Sequence, residues 1–193
     1  MKKRPRTARP AHAVCHQRKL CVVLLLSLAL RVVFRPAVLP ADDRAREYQV
    51  KAAYLLNFTK YVYWPEGSFS AQDSPFVVCV LNGGDFFQQL EATLRGKTTR
   101  GRQIIARSLT PDNDHENCHI LYIPADAEQL SSSLLVRSHA HPVLTVGESP
   151  YFAGHGGCVA LRMLHDTVQF DVNINAASAA GLRISPQMLT LAH

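Results

Sequence analysis

Two rhythms of hydrophobic positions alternate along residues 50–192, helical spacing and short unbroken runs. The first is in residues 50–65, VKAAYLLNFTKYVYWP, where Val50, Ala53, Tyr54, Asn57, Phe58, Tyr61 and Val62 recur at helical intervals and line one face. Leu55, Leu56 and Tyr63 lie off that stripe and widen the apolar surface, so the pattern predicts a helix covered on more than one side. Those three residues are the candidate surface for self-association or a partner. Asn57 sits on the stripe itself and is expected to be hydrogen-bonded in the interior, because an unpaired buried amide is costly.

The unbroken runs read as strands. FVVCVL at 76–81, bounded by Pro75 and Asn82-Gly83-Gly84, has the continuous apolar character of a central strand buried on both faces. Residues 85–94 return to helical spacing through Phe86, Phe87, Leu90 and Leu94, which makes a parallel crossover unit. Further strands are expected at 103–107, 119–123 and 142–146, with a helix over 125–138. A hairpin is expected from 158–164 and 168–172, and short helical segments over 173–182 and 185–192. Together these predict a single α/β domain of three-layer-like build: a mostly parallel central sheet flanked by helices, ending in a β-hairpin and short helices.

Charge changes the picture at the amino end. The formal net charge of the 193 residues is +6, but residues 1–41 carry nine of the 21 basic residues and none of the 15 acidic ones. Residues 42–193 then hold 12 basic against 15 acidic residues, a net of −3, which argues against a phosphate-binding surface and a nucleic-acid partner. A basic stretch to Lys19 followed by LCVVLLLSLAL has the layout of a signal peptide, so residues 1–41 are read as a cleaved leader and 42–193 as an exported domain. The basic loop 95–102, RGKTTRGR, reads as solvated.

Export lets thiols pair. Cys79 lies in one strand run and Cys118 directly precedes another; if those strands are neighbours, a bridge closing a loop of about 40 residues is geometrically reasonable. The alternative is that Cys79, Cys118 and Cys158 are all buried free thiols. With a Cys79–Cys118 bridge, Cys158 is left as a buried thiol or pairs between chains.

No catalytic machinery, metal site or cofactor motif is legible. The glycine segments lack the spacing of phosphate-binding loops, Gly147-Glu148-Ser149-Pro150-Tyr151 is not a nucleophile elbow, and the histidine pairs His115/His119 and His139/His141 lack companion ligands. Asn173 and Asn175 are explained by capping of the next helix. Asp171 and Arg183 are not, and they are the candidate pair for a ligand or partner.

Taken in order, VKAAYLLNF with Trp64-Pro65, VLTVGE at 143–148, FAGHGG at 152–157, FDVNIN at 170–175 and GLRIS at 181–185 resemble the YfiR family of small exported bacterial proteins. The resemblance implies a periplasmic α/β protein that represses an inner-membrane diguanylate cyclase by binding its periplasmic sensor domain. It also implies dimerisation, and places one disulfide at Cys79 and Cys118. Cys158 departs from the pattern, since members with a second bridge near the Gly-Gly segment have two cysteines there. The alternative function is a periplasmic small-molecule sensor acting on another membrane signalling protein.

Overall fold

The computed structural model describes residues 41–112, 117–138, 140–164 and 167–192. The expected leader, up to residue 40, and His115, His139 and His165 lie outside the described residues. Among those described, no helix is long and apolar enough to cross a membrane.

Helix α1 (Ala41–Tyr61) runs into a short strand β1 (Val62–Tyr63). Then follow β2 (Phe76–Leu81), α2 (Gly84–Leu94), β3 (Thr98–Thr99), β4 (Arg102–Leu109) and β5 (Ile120–Ile123). A 3-10 segment (Ala125–Leu130) leads into α3 (Ser131–Ser138), followed by β6 (Leu144–Gly147) and the hairpin strands β7 (Val159–Leu164) and β8 (Thr167–Val172). The chain closes with α4 (Ile174–Ala179), β9 (Arg183–Ile184) and α5 (Pro186–Leu191). The capping expectation holds for Asn173, whose side chain accepts from the Ala176 amide. Ser185 likewise caps α5 ahead of Pro186 at its first turn.

The main sheet has seven strands in the order β3-β4-β2-β5-β6-β7-β8. Its five inner strands are parallel, and the edge strands β3 and β8 are antiparallel to their neighbours. From β2 the chain crosses to β4 on one side, then returns to β5 on the other, so the direction of winding reverses between β2 and β5. β1 and β9 form a separate antiparallel pair that sequence periodicity had not revealed, two residues being too short to show a rhythm.

The unbroken run of β2 is explained by two cores. Val78 and Val80 enter one, with α1, α2, α4 and α5. Val77, Cys79 and Leu81 enter the other, with Leu134 and Leu135 of α3. The crossover from β6 to β7 has no helix, and one aromatic ring takes its place. Phe152, 1% exposed, lies between Gly147 and Gly157, where an added Cβ on either glycine would clash with its ring. Cys79 and Cys118 are disulfide-bonded with Cα atoms 5.8 Å apart, as adjacent strands permit. Cys158 is a free thiol at 1% exposure, so it has no surface from which to bridge chains.

Two expectations for α1 are corrected. Its buried positions are Lys51, Ala52, Leu55, Phe58 and Thr59, continued by Val62 of β1, a stripe rotated from the apolar one. Asn57 therefore faces solvent and is not a buried polar group. Leu55 is fully buried in the core and is no interface residue, whereas Leu56 is half-buried and Tyr63 is 42% exposed.

Candidate functional site: a charged crevice at the carboxyl ends of the strands

In an open parallel sheet the loops leaving neighbouring strands diverge where winding reverses, and a crevice opens beyond the carboxyl ends. Here that crevice lies beyond β2, β5 and β6, with α1 along its side and a volume of about 470 Å³. The turn after β2 is tight, with φ at 49° for Asn82 and 46° for Gly84. Gly83 cannot be replaced cheaply, because a Cβ there would stand 2.7 Å from that of Phe87 and 2.8 Å from Cγ1 of Val80.

The floor is built from three elements. Lys51, 4% exposed, extends its ammonium from α1 to Glu148, which directly follows β6, and donates to Oε1 at 2.5 Å. Glu47, one helical turn earlier, pairs with the same ammonium. Tyr122 of β5, 1% exposed, donates its hydroxyl to the same Glu148 oxygen, and the Ala125 amide donates to Oε2 at 3.1 Å. One carboxylate thus joins α1, β5 and the segment after β5.

The electrostatics follow from this enclosure. Burial alone pulls the Lys51 ammonium toward deprotonation, but the carboxylates of Glu148 and Glu47 outweigh it and its pKa lies above the usual lysine value. Burial, then the negative charge of Glu148, hold the Tyr122 phenol well above its usual range, so it stays a donor. We expect Glu148→Ala to cost about 2–3 kcal/mol, less than loss of a partner from a fully buried ion pair because Glu47 still holds Lys51. Glu148→Gln, which keeps an acceptor for Tyr122, should cost about half as much. Urea denaturation of both variants checks this, and equal, near-parental midpoints would contradict the arrangement.

At the opposite end of the sheet lies a second buried polar group, His119. Its ring stacks on Phe69 and Phe76 with centroids 4.4 and 4.7 Å away, and its carbonyl accepts from Trp64 Nε1 at 3.2 Å. Nδ1 accepts from the Val77 amide at 3.0 Å, and Nε2 lies 3.1 Å from the Ser68 carbonyl. The ring is therefore the neutral tautomer with its proton on Nε2, and a second proton would displace the Val77 bond. Burial chiefly, with the nearby Arg102 charge, lowers its pKa. A group with a depressed pKa that folds neutral contributes stability above its unfolded value, here 6.5, and loses it as pH falls below that. We expect the urea midpoint to decline below about pH 6.5 and the slope to flatten in His119→Gln. An identical acid slope in the variant would assign the effect elsewhere.

Asp171 and Arg183 are not brought together. Asp171 on β8 pairs with Arg162 on β7 at 2.5 Å, while Arg183 on β9 lies over the Tyr63 ring at 5.5 Å. Arg100, from the basic loop, stands over the same ring at 4.5 Å and donates to the Val62 carbonyl at 2.9 Å. Among the described residues no group of three or more potential ligands is placed to hold a metal ion.

The residues that sequence reasoning passed over are Lys51, Tyr122 and Glu148. Two signals were available: a lysine in the middle of an apolar helix, and a glutamate just past the carboxyl end of a parallel strand. A search of curated proteins finds no match to the chain. A sequence profile of the YfiR/HmsC-like family matches residues 48–193, which takes in the disulfide, both cores and the crevice apart from Arg44 and Glu47. The chain therefore belongs to the YfiR/HmsC-like family.

Proposed function

We propose that this chain is a periplasmic regulator that binds the periplasmic sensor domain of an inner-membrane diguanylate cyclase and represses it, lowering cyclic-di-GMP signalling. The observation that carries this reading is the family match over residues 48–193, since the family is one of periplasmic, non-catalytic regulators. The Cys79–Cys118 bridge agrees with an oxidising compartment. In this reading residues 1–41 are a signal peptide removed on export, the domain works as a homodimer, and the signal passes by binding alone. The half-exposed face around Leu56 and Tyr63 is the first surface to test for either contact.

The test is deletion of this chain in its own cell, paired with capture of membrane proteins from detergent-solubilised envelope on the tagged chain. Deleting this chain should raise cellular cyclic-di-GMP, and the tagged chain should retain the detergent-solubilised cyclase. Unchanged cyclic-di-GMP together with no capture would overturn the reading. Intact-mass measurement of protein released by osmotic shock tests removal of the leader.

A further inference from the structure

We propose that the crevice beyond β2, β5 and β6 is a binding site for a small organic dication, a linear aliphatic diamine. This goes beyond the regulatory reading and does not depend on it. The crevice is more than a group of acids. A buried lysine and a buried tyrosine form its floor, and its volume of about 470 Å³ lies in the range of small-ligand sites. It also sits where open parallel sheets bind ligands, outside the carboxyl ends at the point of reversed winding.

The class of ligand follows from the lining. Glu47, Asp85, Asp126 and Glu148 face Arg44 and Lys51, four carboxylates against two cations, a net of −2. Lys51 is shared by Glu47 and Glu148. Asp85 and Asp126 hold no ion pair among the described residues, and they stand in the first turns of α2 and of the 3-10 segment, the elements that follow β2 and β5. An anion would add to the negative excess, and the start of α2, which otherwise favours anions, already has Asp85 in its first turn. A bare metal ion lacks its ligands, since no described group of three or more is placed to hold one. Two ammonium groups match the net charge. The methylene chain between them has an apolar wall in Tyr48 and Phe86, whose rings meet edge to face at 5.5 Å.

The experiment is calorimetric titration of the folded domain with 1,4-diaminobutane and 1,5-diaminopentane, with magnesium chloride and sodium glutarate as controls. The comparison protein is Asp85→Asn/Asp126→Asn, two exposed changes outside both cores. Its melting temperature should stay near the parent's. The expected result is saturable binding of a diamine, weakened about tenfold in the double variant, as loss of two surface ion pairs predicts. The proposal is overturned by no diamine binding to the parent, by undiminished binding to the variant, by magnesium binding equally well, or by glutarate binding in place of the diamines. Because cyclase repression is not measured, either hypothesis can fail while the other stands.

Discussion

Reduction of the Cys79–Cys118 bridge is expected to lower the unfolding free energy by about 4 kcal/mol. The cysteines are 39 residues apart, and opening a closed loop of that size returns chain entropy to the unfolded state. For a domain of this length that corresponds to roughly 10 °C in melting temperature. Denaturation with and without a thiol reductant measures it, and Cys79→Ser/Cys118→Ser should coincide with the reduced parent. A shift below about 1 kcal/mol would mean that the reduced, unfolded chain already holds β2 near β5, leaving the bridge little to constrain.

Phe152→Ala is expected to cost about 4 kcal/mol, as for an aromatic ring removed from a packed site. The ring belongs to the second core, and its slot is walled by Gly147 and Gly157, which cannot close in because they have no side chains. Gly157→Ala should also destabilise, by about 1–3 kcal/mol, since its methyl would overlap the ring. The two changes are not additive. In Phe152→Ala/Gly157→Ala the new methyl enters the vacated slot, so the double variant should be more stable than the sum of the single losses implies. Strict additivity in that cycle would show that the glycine and the ring do not share a site.

The α/β class, the buried character of β2, the hairpin and the Asn173 cap were all legible, because each depends on local pattern. The face of α1 was misread for a physical reason. Counting apolar residues placed Asn57 inside and Leu55 outside, whereas the buried stripe includes Lys51 and Thr59. Thr59 satisfies its hydroxyl on the Leu56 carbonyl, and its own carbonyl accepts from Thr99. Lys51 is buried because Glu148 meets it from 97 residues away. No window on one helix contains that partner, so the polar residue that marks the crevice is also the one that displaced the hydrophobic pattern. Asp171 had an equally simple non-local answer in Arg162, which faces it across the hairpin once β7 and β8 are in register.

Cys158 follows Gly157 directly, with its amide donating to Thr145 Oγ1 at 2.9 Å and its carbonyl accepting from the Asn173 amide at 2.8 Å. Burial raises the pKa of its thiol, so an alkylating reagent finds neither access nor thiolate while the fold is closed. The molecule therefore carries its own clock. The rate at which Cys158 is alkylated, divided by that of an unhindered thiol, gives the fraction of time this part of the sheet stands open.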